Sequence, residues 1–237
     1  MGKIERVSEE KDEMSASRSQ VDDLVAQIRS AIVDGDFYPN EHLIEGQLAA
    51  QYQASRTSVR AALIELAGEG LVEREANRGA RVRAVQWNEA LEISEVRRLL
   101  EGLCAAKAAE RITAEESEDL LKLIAQMEET VKADDRLRFS QLNWVLHDRI
   151  REISGHQTAS EIVHRLRNQA VRYHFQSFLA AGRAANSLEE HRAVVEAIVA
   201  RDPQGAENAA RVHFDNSIKT LLSTRTNRPT PAGAPLE

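Results

Sequence analysis

Apolar residues recur at helical spacing over most of this chain, and the stretches between the helical patterns are short. Because a short connection makes the next helix run back alongside the previous one, the pattern after Asn88 predicts an antiparallel bundle of about six helices. Capping boxes begin at Thr113 and Ser187, each with a glutamate three residues later, and they predict two of the helix starts. The predicted helices of this half span residues 88–111, 114–132, 135–154, 157–181, 188–201 and 204–223.

The first third of the chain follows a different pattern. Three shorter helices are predicted at about residues 21–33, 44–52 and 56–68, and a three-residue turn separates the last two. Two short Val-containing runs then flank Asn77, Arg78 and Gly79, which predicts a β-hairpin. Three helices followed by a hairpin form the outline of a winged helix-turn-helix.

These patterns divide the chain into four parts, and the predicted fold class is mainly α. Residues 19–86 are expected to form a winged helix-turn-helix of three helices plus a β-hairpin, and residues 87–224 an all-helical antiparallel bundle. Residues 1–18 are expected to be a disordered lead-in. Residues 225–237 hold three of the five prolines and are expected to be a flexible tail.

Composition narrows the class of protein. Cys104 is the only cysteine, which excludes an internal disulfide and cysteine-based zinc or iron–sulfur sites and indicates a cytoplasmic location. No apolar run reaches the roughly 18 residues of a membrane span, and no secretion signal begins the chain, so no membrane association is expected. The net charge of −7 does not favour a nucleic-acid partner, but residues 55–83 hold six arginines against four glutamates.

The start of the third helix indicates DNA binding. Arg56 and Arg60 are one turn apart and share a face opposite the apolar residues, and Ser55 is a good N-cap. In a helix-turn-helix, the first residues of this helix meet the base edges. Arg78, beside Gly79 at the hairpin tip, is suited to reach a minor groove or a phosphate. The alternative is that these arginines form an ordinary solvated surface.

At these residues the chain resembles the DNA-binding domain of GntR-type bacterial transcription regulators. The resemblance covers about residues 20–85 and lies in LIEGQLAAQYQASRTSVRAALIELAGEGLVEREANRGARV. It implies that operator DNA is contacted by Ser55, Arg56, Thr57, Ser58, Arg60, Arg78 and Gly79. Gly46 stands where some relatives have a basic DNA-contacting residue, so that contact is either absent or made by another group. Because one winged helix buries little DNA surface, we expect a homodimer on a palindromic operator.

Six of the seven histidines lie in the second half of the chain. Asn143 and His147 are one turn apart on one helix, so their side chains leave the same face. His191 lies eleven residues before Asp202 and His213 eleven residues after it, so an antiparallel hairpin turning there places them at the same height. Three imidazoles and one amide oxygen could thus converge, which suits zinc, nickel or related divalent ions. Taken singly, each histidine is more often an ordinary core or surface residue.

Residues 88–224 resemble the FCD effector domain of the FadR subfamily of GntR regulators, a helical bundle that often holds a metal ion. The resemblance implies that the metal ligands are Asn143, His147, His191 and His213. Zinc is the predicted cofactor, with nickel or manganese as alternatives. Arg97 lies in the Arg-x3-Glu of the first bundle helix, where it would bind an effector carboxylate or instead pair with Glu101.

The predicted function is that of a ligand-responsive, sequence-specific DNA-binding transcription regulator, a repressor rather than an activator by family precedent. A small organic acid is expected to modulate its operator affinity, and the protein is not expected to be an enzyme. Two alternatives stay open, a DNA-binding regulator or architectural protein without a small-molecule effector, and a metal-dependent hydrolase. The hydrolase has the weaker support because no HExxH or comparable general base accompanies the histidines.

Overall fold

The computed structural model describes residues 18, 20–32, 35–75, 79–178 and 182–226, with side chains for all of these except 170–178 and 224–226. The chain divides into two compact units, Met1–Gln86 and Trp87–Glu237, and each has its own hydrophobic core. The predicted lead-in, apart from residue 18, and the predicted tail, apart from residues 225 and 226, lie outside the described residues.

The N-terminal unit is a winged helix-turn-helix, as predicted. Its elements are α1 (20–32), β1 (His42–Leu43), α2 (Glu45–Gln51), α3 (Arg56–Gly68), β2 (Val72–Glu75) and β3 (Gly79–Val82). The strands form an antiparallel sheet in the order β1-β3-β2, in which Val72 pairs with Val82 and Leu43 with Ala80. Strand β1 was not predicted, because two residues are too few to show the alternation by which a strand is recognised.

Each helix of this unit turns one apolar face inward. Ile28, Leu48 and Leu63, one from each helix, are at most 2% exposed. They share a core with Val72 and Val82 of the hairpin. Each buried side chain of this size stabilises the fold by about 1.5 to 3 kcal/mol, so the packing fixes which face of α3 stays at the surface.

Gly79 is required by the packing of β1 on β3. Its φ is +90°, a conformation that favours glycine. A Cβ atom at this position would lie 2.4 Å from the backbone oxygen of Leu43. The need for glycine at position 79 therefore has a structural cause that does not depend on DNA.

The C-terminal unit is a bundle of six helices over its described residues. They are α4 (Trp87–Arg111), α5 (Ala114–Lys132), α6 (Arg136–Ser154), α7 (Gln157–Phe178), α8 (Arg183–Val199) and α9 (Pro203–Thr226). Large apolar side chains such as Leu120, Met127 and Leu146 are fully buried at its centre. None of the helices in the described part of the chain is long and apolar enough to cross a membrane.

One of the two predicted capping boxes is wrong. Thr113 and Glu116 form the box that starts α5, as predicted. Helix α8, however, begins at Arg183 after Gly182 rather than at residue 188, so Ser187 lies inside the helix. Ser187 is fully buried, and its Oγ lies 3.4 Å from Nδ1 of His191. The hydroxyl therefore contacts His191 in the interior of the bundle and does not cap a helix.

We expect Gly79→Ala to lower the free energy of unfolding by about 2 kcal/mol or more, because the new Cβ adds positive-φ strain to a collision with the Leu43 carbonyl. Urea unfolding of the full chain, followed by circular dichroism, measures the change. Gly68→Ala at the end of α3 is the control, since a Cβ there meets no atom within 4 Å. Equal stability of the two variants would contradict the assignment.

Candidate metal centre and nucleic-acid interface

Three histidines from different helices meet inside the C-terminal unit. His147 of α6, His191 of α8 and His213 of α9 are at most 8% exposed, and one ligand nitrogen of each lies within 4.8 Å of the others. The Nε2 atoms of His147 and His191 are 3.3 Å apart, and the ring centroids of His191 and His213 are 4.3 Å apart. The structure thus brings together the three histidines that the sequence pattern singled out.

Each imidazole is held from its outer side through Nδ1. The partner is a carboxylate for two of the rings and a hydroxyl for the third. The pairs are His213 with Glu190 Oε2 at 2.8 Å, His191 with Ser187 Oγ at 3.4 Å, and His147 with Glu101 Oε2 at 3.7 Å. A partner on one ring nitrogen fixes the ring and leaves the other nitrogen free to act as a ligand. Nε2 is therefore the nitrogen that each ring can offer to a metal ion.

Burial keeps the three imidazoles in the neutral form. It lowers the pKa of His213 to about 4, although the neighbouring Glu190 opposes the shift. Burial likewise holds the pKa of His191 well below its ordinary value and lowers that of His147. Because only neutral imidazole binds a cation, these three rings can bind a metal ion near neutral pH without first losing a proton.

Asn143 provides a test of whether these residues fit a metal. It lies one turn before His147 on the buried face of α6 and is 4% exposed. Its Oδ1 atom is buried and has no hydrogen-bond partner among the described residues. Such an orphaned acceptor costs about 1 to 3 kcal/mol, and a bound cation would remove that cost. Three imidazoles and an amide oxygen thus fit a divalent metal ion.

Arg97, on the inner face of α4, is salt-bridged in the structure. Its Nη2 donates to Oε1 of Glu101 at 3.0 Å, and both side chains are 3% exposed. Arg151 of α6, which the sequence pattern did not reveal, donates to both oxygens of Glu101 at 3.2 Å. Burial raises the pKa of Glu101, but the neighbouring His147 and the charges of Arg151 and Arg97 outweigh it and hold that pKa well below its ordinary value.

A second carboxylate, Glu190, supports His213. Both terminal nitrogens of Arg183 donate to it at 2.9 Å, and Nδ2 of Asn216 donates at 3.0 Å. Burial raises the pKa of Glu190, but His213 and Arg183 lower it to about 2. Sequence analysis missed this role because Glu190 was assigned to a capping box. Its place directly before His191 was the available signal.

The N-terminus of α3 presents polar side chains to solvent. Oγ of Ser55 accepts a hydrogen bond from the backbone N–H of Ser58 at 3.0 Å, so Ser55 is the N-cap, as predicted. Arg56 and Thr57 are exposed. A Cβ on Gly46 would lie 3.4 Å from Nη2 of Arg56, so the guanidinium group of Arg56 stands at the position where relatives were expected to have a basic residue.

Arg60 is held by helix α2. Its Nε and Nη2 atoms donate to the two oxygens of Glu45 at 2.9 and 2.7 Å, while its side chain stays 62% exposed. Glu45 lies in the segment that carries the resemblance to GntR regulators, but its spacing from Arg60 in sequence did not reveal the pair. A bidentate partner fixes the plane of the guanidinium group and neutralises its charge.

Two arginines of the hairpin pair with glutamates of β2. Arg81 lies 3.2 Å from Glu73 and 3.6 Å from Glu75, and Arg83 lies 3.9 Å from Glu73. Arg78, predicted to enter the minor groove, lies outside the described residues. Ion pairs within the domain therefore neutralise part of the positive charge that the arginines of residues 55–83 carry.

A winged helix-turn-helix joined to a helical unit with a buried ligand site defines a DNA-binding regulator with a sensor domain. Comparison with family models agrees with this class. Residues 20–82 match the bacterial regulatory proteins of the gntR family, and residues 92–216 match the FCD domain. The chain belongs to the GntR family of bacterial transcription regulators and carries an FCD effector domain.

Two proteins that are similar to this chain carry names of transcriptional repressors. The chain is 30% identical to the probable D-xylose utilization operon transcriptional repressor of Paenarthrobacter nicotinovorans, over 71% of this chain and 74% of that protein. It is 28% identical to the galactonate operon transcriptional repressor of Escherichia coli (strain K12), over 86% and 97%. The solved structure of E. coli McbR/YncC shares the fold with a TM-score of 0.76 at 20% identity, over 87% of this chain and 98% of that chain. The protein is thus a ligand-responsive DNA-binding regulator.

Proposed function

We propose that this regulator represses transcription as a homodimer on a palindromic operator in the cytoplasm, and that a small organic acid bound beside a metal ion changes its operator affinity. The proposal rests on the buried imidazole cluster, whose Nδ1 atoms are all engaged, together with the buried and unpartnered Oδ1 of Asn143, one turn before His147 on α6. The names of two relatives point to sugar metabolism, and we therefore favour a hydroxylated carboxylic acid as the effector class.

The metal ion, zinc in the first place with nickel or manganese as alternatives, would be held by Asn143, His147, His191 and His213. It would supply a Lewis acid that binds an effector carboxylate. Arg97 would bind the carboxylate as well, through its planar fork of donors. Arg151 supports this role, because Glu101 keeps a buried cationic partner when Arg97 turns toward the effector.

The DNA contacts that we propose lie at the start of α3 and in the wing. They are Ser55, Arg56, Thr57, Ser58, Arg60, Arg78 and Gly79. Exposed Arg56 and the oriented Arg60 are suited to base edges, and the hydroxyls to phosphates. The effector changes operator affinity only if it binds one arrangement of the DNA-binding domains better than another.

We expect Glu45→Gln to raise affinity for random DNA and to lower the ratio of operator to random affinity. The substitution removes a negative charge near the phosphates and releases the Arg60 guanidinium from its fixed plane. The slope of log affinity against log salt on random DNA should steepen by about 1. Glu161→Gln, which removes an exposed carboxylate from α7, is the control. Equal gains on operator and random duplexes would show that Glu45 does not orient Arg60.

We expect Asn143→Ala to weaken zinc binding about tenfold or more and Asn143→Asp to tighten it, because a carboxylate binds a cation more strongly than an amide oxygen does. Competition with a chromophoric chelator measures both affinities. Asn168→Ala, at another buried asparagine, is the control. Unchanged zinc affinity in Asn143→Ala would mean that the three imidazoles alone form the site.

The proposed regulation is tested on an operator duplex selected from a random pool with the purified protein. A panel of aldonic and other hydroxy acids is then added, and we expect one class to weaken binding of the metal-loaded protein about tenfold, a typical allosteric coupling. Chelation of the metal or Arg97→Gln should abolish the response while operator binding persists.

Arg98→Gln is the matched control for this experiment. Arg98 is the neighbour of Arg97 on α4, but it pairs with Asp215 at the surface of the unit, at 2.6 Å. A response that survives both Arg97→Gln and chelation would refute the proposed effector site. Operator binding that no acid changes would favour the alternative of a regulator without a small-molecule effector.

A further inference from the structure

Arg74 of β2 differs from the two neighbouring arginines of the hairpin. Arg81 and Arg83 pair with Glu73 of β2, at 3.2 and 3.9 Å. Arg74 is exposed, and it forms no ion pair with another residue that the structure describes. A guanidinium group in this situation keeps its whole charge and its fork of donors available for a ligand.

The register of the sheet shows on which face Arg74 lies. Arg74 is directly opposite Ala80, and Ala80 is directly opposite Leu43. Side chains that are directly opposite in an antiparallel sheet leave the same face. Leu43 and Ala80 are at most 1% exposed, and they share a core with the buried residues of α3. Arg74 therefore leaves the sheet on the face that α3 covers, and it reaches solvent from β2, the outer strand in the order β1-β3-β2.

The charge of Arg74 acts at the place where α2 and α3 begin. The hydrogen bond from Arg60 lowers the pKa of Glu45, and the charges of Arg74 and Arg56 lower it further. Salt screens the interaction of exposed charges beyond about 10 Å, so Arg74 and Arg56 both lie near this carboxylate. Gly46 locates Arg56 independently, because its Cβ would be 3.4 Å from Nη2 of Arg56. Two arginines of α3 and one of β2 thus surround the first residues of α2.

A DNA backbone fits this arrangement. In a helix-turn-helix, the first residues of the helix that corresponds to α3 enter the major groove, so a cation beside that helix meets the phosphates along the edge of the groove. Arginine is suited to this contact because its parallel donors match two phosphate oxygens. We propose that Arg74 is a further DNA contact, which binds a backbone phosphate beside the groove that receives the start of α3.

The acidic character of the domain makes such a contact important. Residues 1–85 contain 11 basic and 15 acidic side chains, and Glu45 already binds Arg60. Where carboxylates occupy other cations, each remaining cation that meets a phosphate accounts for a larger share of the affinity. This inference rests on the DNA contacts proposed above for the start of α3, and it adds a residue outside that set.

The contact is tested by measuring the affinity of the full-length protein for the selected operator and for random duplexes of the same length over a range of salt concentrations. We expect Arg74→Gln to weaken binding to both duplexes by the same factor, about tenfold per bound copy at 0.1 M salt, because a lost ion pair no longer releases a counterion. The slope of log affinity against log salt should fall by about 1 per bound copy. An unchanged slope, or a loss confined to the operator, would overturn the proposal.

Arg81→Gln is the matched control. It removes the same charge from the same hairpin, but Arg81 is directly opposite Glu73, on the other face of the sheet. We expect this variant to keep the salt slope of the wild type. Arg74→Lys keeps the charge at position 74 and should keep the slope as well, since an ammonium group also binds phosphate. Equal slopes of Arg74→Gln and Arg81→Gln would mean that position 74 has no contact of its own.

Modified operators provide a test that locates the contact. Single phosphates of the operator are replaced in turn by uncharged methylphosphonates, and each duplex is bound by the wild type and by Arg74→Gln. At one phosphate in each half-site, the replacement should weaken the wild type but leave the affinity of Arg74→Gln unchanged, because the two changes remove the same interaction. Losses that add independently at every phosphate would refute the contact.

The outcomes separate this inference from the proposed contacts of α3. Operator binding that Arg56→Ala weakens and Arg74→Gln does not would refute the role of Arg74 alone. Operator binding that neither substitution changes would refute the contact of Arg56 and that of Arg74 together.

Discussion

The removal of three imidazoles from water is the constraint on which the rest of the C-terminal unit depends. A buried ring nitrogen without a partner is costly, so each Nδ1 requires a group on its outer side. Two of those groups are carboxylates, which are themselves costly to bury unless cations accompany them. The cations are Arg183 for Glu190, and Arg97 and Arg151 for Glu101. The cluster therefore explains most of the charged residues found inside this bundle.

This arrangement also explains how a bound ligand would act on the whole unit. The imidazoles come from α6, α8 and α9. Glu101 of α4 lies beside the imidazole of His147 and so connects α4 to the cluster. A carboxylate bound at the centre would compete with Glu101 for Arg97 and so alter the inner face of α4. Helix α4 thus carries both Glu101, which lies beside His147 of the cluster, and Arg97, which we propose to bind the effector.

How much the sequence predicts depends on whether a signal is local. The N-cap Ser55 and the exposed start of α3 follow from neighbouring residues, and the meeting of His191 and His213 follows from equal distances to one turn. Glu45 and Arg151 could not be found this way, because their partners are 15 and 50 residues away and no periodicity links them. Ser187 shows the opposite error, because a motif that usually caps a helix lies inside helix α8 here. The role of Ser187 is decided by the burial of its side chain and not by its spacing from Glu190.

Charge balance in the N-terminal domain supports recognition by a few oriented groups rather than by general attraction. Residues 1–85 contain 11 basic and 15 acidic side chains, so the domain as a whole repels phosphate. Within it, Glu45 binds Arg60, and Glu73 pairs with Arg81 and Arg83. Each pair weakens the attraction to any DNA but fixes where a guanidinium group points. Specificity is the difference between the affinity for the operator and the affinity for random DNA. A regulator built in this way therefore gains selectivity by lowering its affinity for random DNA as well as by raising its affinity for the operator.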